Sequence, residues 1–104
     1  RLMWPLSSSV RHQAMHFLEV EVYSDQTNRV IVRHPARRFP GVLIQGDSLH
    51  ALCLQADDAC KAAKGKVSAE EFAELNDLRN ALRSYLSHYK SVLIDHQTPL
   101  PFVE

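Results

Sequence analysis

The clearest structural signal in this chain is the stretch LEVEVYSDQTNRVIVR, residues 18–33. At its start Leu18, Val20 and Val22 alternate with charged or aromatic residues, which indicates a half-buried β-strand. The polar residues in the middle are turn formers, and a second alternating run ends at Arg33. Two such runs joined by a polar turn predict a β-hairpin.

The register of this hairpin is constrained by its charged residues. A slip of one residue would turn the valines of one strand onto the charged face of the other. The permitted registers place Glu19 and Glu21 on the same face as Arg29 and Arg33. Cross-strand pairs of this kind each stabilise a sheet by a few tenths to about 1 kcal/mol.

A third strand is predicted over Gly41–Gln45. The dipeptide His34-Pro35 ends the second strand, because proline lacks an amide donor and restricts the residue before it. Val42, Leu43 and Ile44 then form a continuous apolar run that is too short for a helix. Such a run is typical of a strand more buried than the hairpin.

The first of two predicted helices follows the turn at residues 46–48. Asp47 or Ser48 is expected to accept amide hydrogen bonds of its first turn. Apolar residues recur every three or four positions as far as Ala63, which indicates one buried stripe. Gly65 suits the position just past the helix end, where a left-handed backbone is common.

The second helix is long. Ser68 and Glu71 have the spacing of a capping box, and a helical period continues to about Ile94. Its length of roughly 40 Å exceeds what so small a domain needs, so either it bends or part of it reaches a partner. The whole pattern predicts an α+β fold in which a three-stranded antiparallel sheet, with helices on one face, is followed by a helical hairpin (β-β-β-α-α).

The domain organisation follows from these elements. Residues 15–96 are expected to form a single α+β domain, and residues 97–104, with two prolines, an extended tail. Residues 1–14 have no steady period and are interpreted as a disordered or artificial extension, with the biological start at Met15.

Composition limits the classes of function. Twelve basic residues balance twelve acidic ones, which argues against binding nucleic acid or a membrane through bulk charge. No stretch approaches the roughly 20 apolar residues of a membrane span. Cys53 and Cys60 lie about 10 Å apart along one helix, too far for a disulfide, and are interpreted as small buried side chains. A cytoplasmic location is expected.

No catalytic or metal-binding motif is recognisable. The six histidines lack metal-ligand spacing; they are His12, His16, His34, His50, His88 and His96. Only three glycines occur, so there is little material for a phosphate-binding loop. The expectation is therefore a protein without cofactor or metal, and not an enzyme. The acidic residues of the helices, such as Asp57, Asp58 and Glu74, are interpreted as a solvated face.

The candidate binding site is a basic segment that contains four arginines and a histidine within ten residues. Its members are Arg29, Arg33, His34, Arg37 and Arg38. Arginine forks match carboxylate and phosphate geometry, and loops at sheet ends often carry binding groups. Alternatively, Arg29 and Arg33 only pair with Glu19 and Glu21. Arg37 and Arg38 have no acidic neighbours in the sequence.

The segment FPGVLIQGDSL, residues 39–49, resembles the P-G-x-x-x-Q-G-D-[ST]-L segment of HicB-type antitoxins, where a strand leads into a helix of a partial RNase H-like fold. The preceding hairpin has the order found in that family. HicB proteins typically continue with another strand, whereas here a long helix follows. The resemblance implies no catalytic residues, because HicB antitoxins act by covering a toxin. From Met15 onward the chain also resembles small uncharacterised bacterial proteins.

Three functions are consistent with these observations. The first is a protein-binding module, an antitoxin or immunity-like protein that blocks a partner such as a toxin. The second is nucleic-acid binding through residues 29–38, which is less favoured because the net charge is zero. The third is an enzyme whose site lies between subunits. A homodimer formed through the long helix is consistent with each of them, and no membrane partner is expected.

Overall fold

The computed structural model describes residues 12–104. Strands β1 (Glu21–Ser24), β2 (Val30–Arg33) and β3 (Gly41–Leu43) form an antiparallel sheet in the order β1-β2-β3. Helices α1 (Gly46–Ala63) and α2 (Ala69–Asp95) follow. The predicted α+β fold, a three-stranded sheet and then a helical hairpin, is confirmed. Of the predicted extension, residues 1–14, positions 1–11 lie outside the residues that the structure describes.

The register of the β1–β2 pair is one of those that the charge pattern permits. Glu21 lies opposite Arg33 and Val22 opposite Val32. Strand β1 is shorter than predicted, since it begins at Glu21 rather than at Leu18. The cause lies in the partner strand: β2 ends at Arg33, and the proline two residues later has no amide to continue the ladder.

The sheet is not covered by the helices, and here two predictions are wrong. Among the described elements, each strand contacts only its neighbouring strands, and α1 contacts only α2. Instead of lying on one face of the sheet, the helices bury their apolar stripes against each other. Strand β3, predicted to be the most buried, is exposed along its length, with 56% of Val42 accessible to solvent.

The buried core lies inside the helical hairpin. Leu49 and Cys53 of α1 pack against Leu86 of α2. Three partly buried residues surround this cluster: Leu82, Tyr89 and Phe102. Both cysteines are buried free thiols, as predicted, and burial raises the pKa of Cys53.

Gly46 is where α1 begins, and it is buried under Tyr89 of α2. A Cβ atom at Gly46 would fall inside the van der Waals space of the Tyr89 ring. The close approach of the two helices at this point therefore requires a residue without a side chain.

The helix ends follow the sequence signals closely. Gly65 has a φ of 78° just past the end of α1, and Ser68 and Glu71 form the predicted capping box at the start of α2. At the start of α1 the residue preceding the helix is Gln45, which makes no side-chain cap. The Asp47 carboxylate instead accepts the Ser48 amide from within the first turn, at 2.8 Å.

An ion pair joins the middle of the two helices. Arg83 of α2 donates to the carboxylate of Asp57 on α1, and this hydrogen bond lowers the pKa of Asp57. The interpretation of Asp57 as part of a solvated acidic face was wrong, because a side chain one turn from the buried Cys53 lies within reach of the facing helix.

The C-terminal end of α2 contacts His12 and the tail. The His12 amide donates to Asp95 at 3.0 Å, and the His12 ring lies 2.9 Å from the Ser91 hydroxyl. The tail folds back on the hairpin, because Gln97 adopts a left-handed backbone with φ 58°. Phe102 then stacks on His50 with ring centroids 4.2 Å apart.

Candidate functional site

The predicted basic segment is divided by the fold. Arg33, His34, Arg37 and Arg38 lie together at the end of β2 and in the loop that leads to β3. Arg29 lies just before the opposite end of β2, roughly 13 Å away along the strand. The structure thus brings four of the five predicted residues into one site and leaves Arg29 outside it.

Arg33 anchors this loop to the sheet. Its Nε donates to Glu21 Oε1 at 2.6 Å, across the β1–β2 pair, and its Nη1 donates to the Arg37 carbonyl at 2.8 Å. The Arg33 hydrogen bond is the main reason why the pKa of Glu21 is lowered. The alternative interpretation, pairing across the hairpin, is therefore correct for Arg33. For Arg29 no ion pair with Glu19 is present among the described residues.

His34 fixes the shape of the same loop. Its ring Nδ1 accepts the Ala36 amide at 2.9 Å, and its carbonyl accepts the Arg37 amide at 2.9 Å. Pro35 and Pro40 restrict the backbone on either side of the arginines. A loop with this many internal constraints has little conformational freedom to lose when it binds.

Arg37 and Arg38 project from this fixed loop without acidic partners in the described part of the chain. The Arg38 guanidinium lies 5.4 Å from the centre of the Phe39 ring, and 71% of Phe39 is exposed. Phe39 was not among the predicted site residues. An aromatic residue directly after two arginines, in a loop between two strands, is the signal by which the sequence indicates it. We call residues 37–39 the Arg-Arg-Phe tip.

A groove of about 460 Å³ runs between the sheet and the start of α1. Its lining includes Val42 and Ile44 from the sheet side and Ala51 and Leu52 from α1. Five polar or charged residues also line it: Asn28, Arg29, Gln45, Ser48 and Gln55. This groove was not predictable from the sequence, because its apolar residues have the periods expected of buried strands and helices.

A second cavity, of about 710 Å³, lies where the N-terminal segment meets the end of α2. Four of the six histidines line it: His12, His16, His88 and His96. The His12 and His88 rings are 5.5 Å apart, edge to face. Within residues 12–104, no three potential metal ligands lie close enough to hold one ion. Sequence spacing could not reveal this cluster, since it joins residues more than seventy positions apart.

Comparisons with other proteins give one result. No curated protein and no solved structure matches the chain. Separately, no helix among residues 12–104 is long and apolar enough to cross a membrane. A family model, described as a family of unknown function (DUF6959), matches residues 15–102 and so covers the sheet, the Arg-Arg-Phe tip and both helices. The chain belongs to this family of unknown function, DUF6959.

Proposed function

We propose that this chain is a non-enzymatic protein-binding module whose Arg-Arg-Phe tip docks on an acidic surface of a partner protein. The observation that carries the proposal is the contrast within one loop. Arg33 and His34 are used to fix the backbone, whereas Arg37 and Arg38 are left without acidic partners among the described residues.

The chemistry of the tip suits a protein partner. Arginine and aromatic residues are strongly enriched among the residues that dominate binding energy at protein interfaces. Arg37 and Arg38 offer planar forks for carboxylates, and Phe39 offers an exposed apolar ring beside them. Because the loop is already constrained, little ordering entropy opposes association.

The more specific form of the proposal is an antitoxin or immunity-like protein, which covers a toxin and blocks it. Support comes from the resemblance of residues 39–49 to HicB-type antitoxins, since that segment starts at the tip and continues through β3 into α1. The two free buried thiols suit a reducing, cytoplasmic location.

The experiment compares proteins captured from the source organism by three tagged chains. These are the wild type, the double variant Arg37→Glu/Arg38→Glu, and the control Lys64→Glu/Lys66→Glu, which changes the net charge equally on an exposed loop between the helices. We expect a stoichiometric partner that is retained by the control and bound at least about tenfold more weakly by the tip variant. Growth inhibition by that partner, relieved by co-expression of the wild type alone, would support the antitoxin form.

Two results would contradict the proposal. One is the absence of a stoichiometric partner for the wild type. The other is equal weakening by the tip variant and the lysine control, because binding would then depend on total charge and not on the tip.

Nucleic-acid binding is the second candidate, because an arginine beside an exposed aromatic ring also suits the bases of a single strand. The pairing of Arg38 with Phe39 is the observation in its favour, and the zero net charge counts against it. Fluorescence anisotropy with single-stranded RNA and DNA at several salt concentrations distinguishes the two, since phosphate binding weakens steeply with salt.

A further inference from the structure

The turn from His34 to Arg37 sets the direction of the Arg-Arg-Phe tip, and three hydrogen bonds hold it. The His34 carbonyl accepts the Arg37 amide at 2.9 Å, and the Arg37 carbonyl accepts Arg33 Nη1 at 2.8 Å. The donors and acceptors of these two bonds do not titrate near neutral pH. The third bond runs from the Ala36 amide to His34 Nδ1, at 2.9 Å. Its acceptor is a ring nitrogen that can itself take up a proton.

The bond to Ala36 specifies the protonation state of the His34 ring. A backbone amide can only donate, so Nδ1 must present its lone pair, and the neutral ring must carry its proton on Nε2. Once Nδ1 is protonated it is also a donor, and two donors then face each other across the same 2.9 Å. Imidazole is the side chain that ordinarily changes charge between about pH 5 and pH 8. Among the three bonds of the turn, this one is therefore sensitive to a modest fall in pH.

The charges around the turn leave a protonated His34 without an acidic partner. The titratable and charged groups of β1, of the end of β2 and of the loop are Glu21, Tyr23, Arg33, Arg37 and Arg38. The one carboxylate among them, Glu21, accepts Arg33 Nε at 2.6 Å and the Tyr23 hydroxyl at 3.5 Å. Within residues 12–104, His34 forms no ion pair. Protonation thus adds an uncompensated positive charge to a loop that already carries two unpaired arginines.

We propose that His34 is a pH-sensitive switch, which orders the Arg-Arg-Phe tip while Nδ1 is unprotonated and loosens the backbone of residues 35–37 as the ring is protonated. The inference rests on the proposed function, since it states when the tip is ordered for docking. Loosening is partial, because the two other hydrogen bonds remain. The Glu21 carboxylate also stays ionised over this range, since the Arg33 hydrogen bond lowers its pKa.

The expected size of the effect is that of one hydrogen bond. Such a bond changes the population of an ordered state by a factor of about 2 to 10. A loosened tip has more conformational freedom to lose when it docks, so binding to an acidic surface weakens as pH falls. The added positive charge acts in the opposite direction, and the comparison of variants must separate the two effects.

Asparagine at position 34 provides the matched control. Its side-chain carbonyl can accept the amide two residues later, as in a common turn, and it does not titrate. His34→Asn therefore keeps the hydrogen bond to Ala36 at every pH, whereas His34→Ala removes it at every pH. Neither substitution changes Arg37, Arg38 or Phe39, which carry the proposed contacts.

The first measurement is an NMR titration of the purified full chain from about pH 8 to about pH 5. We expect the ring nitrogen shifts of His34 to show the proton on Nε2 at the upper end. Ala36 amide protection, corrected for intrinsic exchange, should fall about 2- to 10-fold as the ring titrates. It should stay constant in His34→Asn and be low throughout in His34→Ala. A proton on Nδ1 of the neutral ring, or an Ala36 amide that does not follow the ring, would overturn the proposal.

The second measurement is the affinity for the partner protein captured through the tip, near pH 7.5 and near pH 5.5. Dividing the wild-type affinity by that of His34→Asn cancels the titration of groups on the partner. We expect this ratio to fall about 2- to 10-fold between the two conditions. A ratio that stays constant or rises would overturn the link between tip order and docking. The absence of any partner would refute the proposed function, whereas the NMR titration decides the switch without one.

Discussion

Replacing Gly46 with alanine tests the close contact between α1 and α2. In a helix this exchange ordinarily stabilises by up to about 1 kcal/mol, because glycine has the larger backbone entropy when unfolded. Here the new methyl group meets the ring of Tyr89, which is held by the core cluster and by the tail. Overpacking a fitted contact typically costs about 1–3 kcal/mol. We therefore expect a net loss of roughly 1–2 kcal/mol in the free energy of unfolding.

A double-mutant cycle isolates the cause. In a Tyr89→Ala background the obstructing ring is absent, so Gly46→Ala should be neutral or stabilising by up to about 1 kcal/mol. The four proteins are compared by urea denaturation, followed by far-UV circular dichroism at one protein concentration, because dimerisation would shift the transitions. A Gly46→Ala variant as stable as the wild type, or an equal loss in both backgrounds, would refute the reasoning.

Three further predictions concern the helical hairpin. Leu86→Ala should lower the free energy of unfolding by about 2–5 kcal/mol, since only 1% of Leu86 is exposed. Leu78→Ala should lower it by less than about 0.5 kcal/mol, because Leu78 is exposed. Equal losses for the two variants in denaturant titrations would contradict this prediction. The ion pair of Asp57 should stabilise the fold above the ordinary carboxyl pKa of about 3.9 and lose this effect as pH falls through the lowered folded-state pKa. Thermal melts of wild type and Asp57→Asn should therefore converge in acid; a constant difference would argue against it. Gln97→Gly should stabilise by up to about 1 kcal/mol in the same titrations, because Gln97 has a left-handed φ, whereas Gln97→Ala should not.

Local signals in the sequence predicted the elements well. The capping box at Ser68 and Glu71 and the glycine after α1 fixed the helix ends, because capping depends on residues within one turn of each other. The requirement that valines share a face predicted that Glu21 lies on the same face as Arg33, and the structure places the two residues opposite each other. The order of strands and helices was also predictable, because each element has its own local pattern of apolar residues.

The arrangement of these elements in space was less predictable. An apolar run such as residues 42–44 indicates a surface that favours burial. The sequence does not indicate which element or molecule packs against that surface. The prediction that the helices lie on one face of the sheet rested on the general tendency of such layers to pack together. In the structure the α1 stripe faces α2 instead. The Asp57–Arg83 pair depends on which helix faces meet, and the histidine-lined cavity depends on where residues 12–16 lie against the end of α2.

The candidate site was predictable in part. Arg37 and Arg38 were identified because no acidic residue is near them in the sequence. Phe39 was missed, since aromatic residues are usually assigned to the core. Arg29 was included because it is close in sequence, although a strand that separates two residues by four positions places them at opposite ends of the sheet.

The separation of the sheet from the helical hairpin gives the molecule two levels of cooperativity. Only residues 44 and 45 connect β3 to α1, and the buried core belongs entirely to the hairpin and the tail. A small sheet with open faces has little intrinsic stability, so we expect its strands to exchange amide protons at lower protection than the helices of the hairpin. A partner bound at the Arg-Arg-Phe tip is therefore expected to stabilise the sheet, to which Arg33 anchors the loop, and to leave the stability of the helical hairpin unchanged.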